Sequence, residues 1–498
     1  MRIIRKVDSC RVSTATADEL AWLQEYLSIP TVAFAGGRPR PTVRRYFNAS
    51  RKAFPPGLLR LVQKKALERG FVIDVIDERE RPAGDFKIPK FRTLVPAYYQ
   101  VEAAKKAHAA EVSSVEIGTG GGKSFLATII FAAWRGRCIY VVSTEQLAEQ
   151  AASEFERETG ERAGRCYGGR LEVGERVVFA TFGTLHKRIV KAKPGFRHPD
   201  GSPAYVRDDA WIEAHLSDFT WLVVDEVHEV PAATFETVAL AIPAFFRTGL
   251  SATPFSRGDG KAMSVIATTG PLCYKKTQRE LADEGFTAMG TVYMVRYPQS
   301  VFIGPWQRAY TYQIVRDEER NALVAAIAAH ARKPCLVLFN DVEHGATLLR
   351  ALRGRGIEAV RIDGRIPVAS RRELARKLND GEIDVILASK VFRTGVNIKA
   401  LRTVVRAAGR KSEIEVVQGT GRATRMDKDS GKATYDVYDV LDVADDGRSG
   451  KGRWMADHAK RRLRTYRKQG YDVRVGDGPR GPWTIHPALD ASAKDEEE

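Results

Sequence analysis

The stretch Gly118-Thr119-Gly120-Gly121-Gly122-Lys123-Ser124 constrains this chain more than any other. It follows the apolar run Ser114-Val115-Glu116-Ile117 and opens the apolar stretch 125–133. That order reads as strand, glycine loop and helix start, the parts needed to hold a triphosphate. Glycines let backbone N–H groups close around phosphates, and the helix N-terminus adds partial positive charge. Lys123 then reaches the β- and γ-phosphates, and the Ser124 hydroxyl is placed for Mg²⁺. The strict pattern also asks for glycine at position 117, which is Ile here. Taken alone, the segment also reads as a glycine-rich turn followed by a chance Lys-Ser.

A second segment supplies what the first lacks. Trp221-Leu222-Val223-Val224-Asp225-Glu226-Val227-His228 is an apolar strand that delivers two adjacent carboxylates at its C-terminal end. Open α/β sheets bind their ligands at that end. Asp225 suits Mg²⁺, directly or through water. Glu226 suits the orientation and deprotonation of an attacking water. In isolation this is an acidic turn; downstream of Lys123-Ser124 it is the second half of a nucleotide hydrolase site.

Around these anchors, strands and helices alternate. The expected strands are 112–117, 138–142, 176–180, 221–224 and 246–250, with helices at 146–159 and 235–242 between them. Strands at 335–339, 359–362, 384–388, 403–406 and 433–438, with helices at 342–353 and 370–380, repeat the rhythm. Alternation of this kind gives a parallel sheet with helices on both faces. Two such layers in tandem suit a chain of 498 residues, which has room for about three domains. Residues 1–89 read as a small α+β domain. In it, Gly36-Gly37-Arg38-Pro39-Arg40-Pro41 is expected to be a loop, 58–69 a basic amphipathic helix and 71–76 a strand. That helix is either a DNA-facing surface or an ordinary solvated face. Residues 191–209 read as an inserted loop. Residues 453–468 read as a basic helix with Trp454, Leu463 and Tyr466 interleaved. Asp495-Glu496-Glu497-Glu498 reads as an unstructured end. The domain boundaries are expected at 89/90, 300/301 and 445/446.

The formal net charge is +17, which points to a polyanionic partner, nucleic acid before others. The five cysteines are scattered without a C-x-x-C pair, so neither a zinc knuckle nor a redox site is suggested. The N-terminus lacks the apolar stretch of a signal peptide, and no run of about 18 apolar residues suggests a membrane span. A cytoplasmic protein without membrane contact is the expectation.

Three more segments complete a constellation: Gly249-Leu250-Ser251-Ala252-Thr253-Pro254, the run from Ile386 to Asn397, and Gln418-Gly419-Thr420-Gly421-Arg422-Ala423-Thr424-Arg425. Arg422 and Arg425 are three apart, so on a helical turn they share a face and can reach a γ-phosphate across a cleft. Together these segments resemble the superfamily 2 helicases of DEAD/DEAH-like type over residues 91–442. Gly118–Ser124 resembles motif I, Asp225-Glu226-Val227-His228 a DEVH box, Ser251-Ala252-Thr253 motif III, and Gln418 to Arg425 motif VI.

The resemblance implies two tandem RecA-like domains, ATP and Mg²⁺, and hydrolysis coupled to unwinding. Its catalytic residues would be Lys123, Asp225, Glu226, Gln418, Arg422 and Arg425. ATP would be held by Gln100, Gly118, Thr119, Gly120, Gly121, Gly122, Lys123, Ser124, Gly395 and Asn397, and the metal by Ser124 and Asp225. Tyr99-Gln100 resembles the glutamine motif that reads adenine, without its usual Arg-x-Tyr-Gln form. Thr144, Thr181 and Ser389 would meet nucleic-acid phosphates, and His228, Ser251 and Thr253 would couple the two sites.

Val391-Phe392-Arg393-Thr394-Gly395-Val396-Asn397-Ile398-Lys399 is similar to motif V of the phage UvsW-type recombination helicases. Asn397 stands where many of those carry Asp. This finer resemblance implies a monomeric motor on branched DNA, or RNA in hybrids, acting in branch migration, fork regression and D-loop or R-loop unwinding. An RNA helicase, the motor of a restriction system and an ATP-regulated nucleic-acid switch are the alternatives.

Overall fold

The computed structural model describes residues 1–35, 38–197, 203–230, 232–255, 262–389, 398–426, 431–445, 448 and 450–486. Gly36-Gly37, the run from Lys390 to Asn397 and the acidic C-terminal residues lie outside them. By contacts the chain divides into two units, Met1–Ile117 with Gly122–Lys276, and Gly118–Gly121 with Thr277–Glu498.

The first unit is built on a seven-stranded parallel sheet. Its order is Leu272–Lys276, Val112–Ile117, Phe246–Ser251, Trp221–Asp225, Cys138–Val142, Val177–Thr181 and Gly164–Cys166. The three strands Trp221–Asp225, Cys138–Val142 and Val177–Thr181 are buried throughout, as continuous apolar runs with helices on both faces require. The helix Lys123–Ala133 is buried from Phe125 to Ala133. The next helix, Glu145–Thr159, lays Ala148, Ala151, Ala152 and Phe155 on the sheet. Those positions are spaced as one helical stripe. Thr144 caps its start and Gly160, at φ 75°, ends it.

The N-terminal residues add a four-stranded sheet in the order Ala53–Phe54, Cys10–Thr14, Arg2–Arg5 and Asp74–Asp77. Helices Ala17–Tyr26 and Leu59–Glu68 cover it, and Leu59, Val62 and Ala66 face inward. Ala267 of the helix Ala262–Thr269 belongs to the same core. A Cβ on Gly57 would lie 2.0 Å from the Ile266 carbonyl oxygen, so the close approach requires glycine.

Two segments expected to be loops are antiparallel ribbons. Arg38–Arg45 pairs with Ser28–Ala35, and Val190–Arg197 pairs with Pro203–Arg207. Proline and glycine suggested loops, but a two-stranded ribbon has outer edges where a missing N–H costs no ladder bond.

The second unit carries an eight-stranded sheet. The order is Ala359–Ile362, Val385–Ala388, Cys335–Leu338, Thr403–Arg406, Thr434–Ala444, Met289–Gln299, Asp472–Gly476 and Thr484–His486, with the last pair alone antiparallel. The two parallel sheets are the tandem RecA-like layers that the resemblance implies. Met289–Gln299 pairs along its whole length with Thr434–Ala444. The contact boundary therefore falls at 276/277, against the 300/301 read from sequence. The basic helix is present as Trp454–Lys468 and continues into two further strands of this sheet.

That helix is anchored by charge. Arg462 is fully buried and donates from Nε to Asp439 Oδ2 at 3.0 Å, from Nη1 to Gly409 O at 2.7 Å and from Nη2 to Val440 O at 2.7 Å. Arg320, also fully buried, grips Asp442 at 2.8 and 3.2 Å and the Ala407 carbonyl at 2.9 Å. Removing one member leaves a buried charge without compensation. Arg462→Ala should lower the unfolding free energy of this unit by about 3–5 kcal/mol, measured by urea denaturation.

His344 is buried, with Nε2 2.9 Å from Asn321 Oδ1. Burial and then the charge of Arg320 push it down to about 3. The folded chain thus refuses a proton that the unfolded chain accepts below about pH 6.5. This contribution is fully present above pH 6.5 and is lost as pH falls toward 3. His344→Gln should flatten the stability–pH curve between pH 6 and 4 by up to about 1.4 kcal/mol per pH unit.

Candidate nucleotide and nucleic-acid site

Parallel pairing sends the C-terminal ends of the first sheet to one edge. Val112–Ile117 delivers the glycine loop, Trp221–Asp225 delivers Asp225, and Phe246–Ser251 delivers Ser251. Cys138–Val142 and Val177–Thr181, which pair Val142 with Thr181, end at the same edge. Sequence-distant residues meet there for that reason.

The loop is shaped by left-handed glycines, Gly120 at φ 81° and Gly122 at φ 73°. Gly121 N–H closes on Gly118 O at 3.1 Å, and Lys123 Nζ donates to Ile117 O at 3.5 Å. Gln100 braces the turn. Its Oε1 accepts from Ala97 N–H at 3.0 Å, and its Nε2 donates to Gly122 O at 3.3 Å. A Cβ on Gly122 would sit 2.5 Å from that Nε2. Gly118–Gly121 groups with the second unit, where Thr119 Oγ1 donates to Gln278 Oε1 at 3.0 Å.

Asp225 is 6% exposed. Tyr140 donates its hydroxyl to Asp225 Oδ2, and Glu226 N–H donates to Oδ1 at 2.9 Å. Burial and then the charge of Glu226 push the Asp225 carboxyl up, while Lys123 pulls it down. A buried carboxylate beside a second acid and a lysine is a place where a bound cation relieves both desolvation and repulsion. Glu226 leaves the strand at φ 47°, ψ 48°, a strained conformation for a side-chain-bearing residue. His228 Nδ1 lies 2.9 Å from Ser251 Oγ and 3.3 Å from Glu226 Oε2. Thr253 N–H donates to the same Ser251 Oγ at 3.0 Å. The structure thus brings Asp225, Glu226, His228, Ser251 and Thr253 into one bonded group.

Thr144 and Thr181 are helix N-caps, accepting from Leu147 N–H at 3.4 Å and Thr184 N–H at 3.3 Å. Each stands where backbone N–H groups face outward, a position suited to phosphate. Ser389 follows Val385–Ala388 in the second sheet and donates N–H to Ile362 O at 3.0 Å. Gln418 lies on the helix Glu413–Thr420. Arg422 and Arg425 do not share a helical face as expected, because the helix ends at Thr420 and both lie in the turn and coil beyond it. Arg425 is exposed and Arg422 half-buried. Gly395 and Asn397 lie outside the described residues.

Sequence reasoning missed Tyr140. Its one signal was a hydroxyl in an otherwise apolar strand.

The donor set fits a nucleotide with a divalent cation: an ammonium, a hydroxyl, a buried carboxylate and a glycine cradle that side chains would fill. Gly122→Ala should cost about 1–2 kcal/mol from its φ alone and weaken binding of a fluorescent ATP analogue, read by titration.

Residues 93–256 match the family "Type III restriction enzyme, res subunit", and residues 318–427 match "Helicase conserved C-terminal domain". The chain is similar to DNA 3'-5' helicase XPB of Kineococcus radiotolerans, with 25% identity over 76% of this chain and 64% of that protein. It is also similar to the ATP-dependent DNA helicase uvsW of Enterobacteria phage T4, with 23% identity over 67% of this chain and 66% of that protein. It spans somewhat less than two thirds of both relatives. The solved structure of the ATP-dependent Type ISP restriction-modification enzyme LlaBIII bound to DNA shares the fold. Its TM-score is 0.55 at 13% identity, over 76% of this chain and 30% of that one. Among the described residues no helix is long and apolar enough to cross a membrane.

Proposed function

The chain belongs to superfamily 2 of the helicases, as a res-subunit domain followed by a helicase C-terminal domain, and we propose that it is an ATP-driven DNA translocase that remodels branched DNA. The observation that carries the reading is the bonded group around Asp225 and Glu226 at the sheet edge that also delivers the glycine loop.

In this reading Lys123 and the loop N–H groups bind the phosphates of ATP. Ser124 and Asp225 hold Mg²⁺, which neutralises phosphate charge when bound. Glu226 orients the attacking water and takes its proton. Gln418, Arg422 and Arg425 take part in hydrolysis, as the helicase resemblance implies, and the arginines stabilise charge that develops on the transferred phosphoryl group. Gln100 contributes to the adenine side, and Gly395 and Asn397 to the ribose. His228, Ser251 and Thr253 link hydrolysis to a nucleic-acid track at Thr144, Thr181 and Ser389. Contacts of that kind are sequence-independent and weaken with salt.

Two features support DNA as the partner: the net charge of +17 and the DNA-acting names of both relatives. Branched DNA as the substrate rests on the likeness to uvsW. The protein is proposed to act as a monomer in the cytoplasm.

The test is ATP turnover and strand displacement on forks, Holliday junctions, R-loops, plain duplex and RNA. Glu226→Gln should bind ATP but lose turnover about 100-fold or more. Arg425→Ala should lose the nucleic-acid-stimulated rate by about 10³-fold with little change in ATP binding. Turnover by Glu226→Gln at the wild-type rate removes the proposed base. Stimulation by RNA alone, or none by forks and junctions, removes the branched-DNA assignment.

A further inference from the structure

Parallel pairing also gathers three segments at one edge of the second sheet. Ser389 follows Val385–Ala388, Arg410 and Lys411 follow Thr403–Arg406, and residues 300–316 follow Met289–Gln299. The last segment folds as the helix Trp306–Tyr310 running into a π-helical turn, Thr311–Val315. Such turns recur at functional positions. It is stitched to the start of Trp454–Lys468. Phe302 N–H donates to Gly452 O at 2.8 Å, and Trp454 Nε1 donates to Gly304 O at 3.2 Å. The Trp306 and His458 rings lie 6.3 Å apart.

These segments carry cations together with one exposed ring, Tyr312, and the half-buried rings of Phe302 and Trp306. The Arg410 guanidinium lies 5.2 Å from the Tyr310 ring centroid and 5.8 Å from that of Trp306. Its Nε is buried without a hydrogen-bond partner among the described residues. Lys411 and Arg461 are exposed. Desolvation and then the charge of Arg461 push Lys411 down, against one opposing carboxylate, Asp457. Tyr312 is 56% exposed and stacks on Phe302 at 5.9 Å. Ile303 is 88% exposed. Like charges held together cost energy in the free protein, and an anion relieves that cost. Rings beside cations suit a strand whose bases show their faces. In a duplex those faces are stacked away, leaving the phosphates alone to be met.

We propose that this surface binds an unpaired DNA strand, with Arg410, Lys411 and Arg461 on its phosphates and Tyr312 stacked on a base. It lies on the sheet edge that carries Ser389, and it extends the nucleic-acid track to residues outside the helicase motifs. The proposal takes the identity of its ligand from the reading of the protein as a DNA motor.

The experiment is a titration of the full chain, without nucleotide, against a fluorescein-labelled oligo-dT and a matched duplex by anisotropy over a range of salt. Thermal melts confirm that each variant is folded. The double variant Lys411→Gln, Arg461→Gln should lower the slope of log K against log salt for oligo-dT by about 1.4, at about 0.7 per phosphate contact. Tyr312→Ala should weaken oligo-dT by about fivefold or more and leave duplex binding unchanged. An unchanged slope in the folded double variant overturns the phosphate contacts. Equal loss on both ligands in Tyr312→Ala, or no loss on either, overturns the single-strand assignment. Binding as expected, with ATP turnover that neither oligo-dT, duplex nor forked DNA stimulates, upholds the surface and overturns the motor.

Discussion

When strands pair in parallel, every connection must travel back along a face, and every strand finishes on the same side. The two large sheets of this protein are built almost wholly on that rule. It takes residues more than a hundred positions apart, such as Lys123 and Asp225, and delivers them to one rim. The three central strands of the first sheet are buried throughout because helices cover them, and the candidate site residues stand at the C-terminal ends. The glycine loop, the acidic pair and the hydroxyls of Ser251 and Thr253 are therefore the consequence of a topology as much as of local motifs.

Burial decides what those polar groups can do. Asp225 is almost out of water, and its charge is opposed by Glu226 and favoured by Lys123. In the second sheet, Arg320, Arg462, Asp439 and Asp442 are also out of water, but each of these charges faces an opposite one, although Asp439 Oδ1 makes no hydrogen bond. The difference separates a group poised for a ligand from a group that holds structure. Perturbed carboxylates in a cleft mark chemistry, whereas buried ion pairs mark architecture.

How legible this was depended on how local each signal is. The glycine loop, the Asp225-Glu226 pair and the central strands announce themselves in short windows, and the parallel layers followed from their alternation. The ribbons Ser28–Ala35 with Arg38–Arg45, and Val190–Arg197 with Pro203–Arg207, did not. Their glycines and prolines carry turn chemistry that edge strands tolerate. Met289–Gln299 was hidden by Gly290 and Pro298, although its partner eleven-residue strand holds it firmly. Arg462 looked like one of many surface cations, since its inward face exists only once Asp439 and Gly409 are in place. Arg422 and Arg425 keep their spacing but lose the assumed helix, because Gly421 stands as its C-cap. The bond from Tyr140 to Asp225 depends on two neighbouring strands in register, and a lone hydroxyl in an apolar strand does not say what it meets.

The imidazole of His228 holds one ring nitrogen between two partners with different needs. Ser251 Oγ already accepts from Thr253 N–H, so its own hydrogen is available to point at that nitrogen. Glu226, when ionised, instead wants a hydrogen on it. A hydrogen on Nδ1 serves both partners, since the Ser251 oxygen keeps a second lone pair, whereas a bare Nδ1 serves the Ser251 hydroxyl alone. A proton that sits on Nδ1 while the Glu226 charge faces it can move to Nε2 once that charge is engaged elsewhere. The loop after Ser251 would then register, through a hydroxyl rotation, what the carboxylate two residues before His228 is doing.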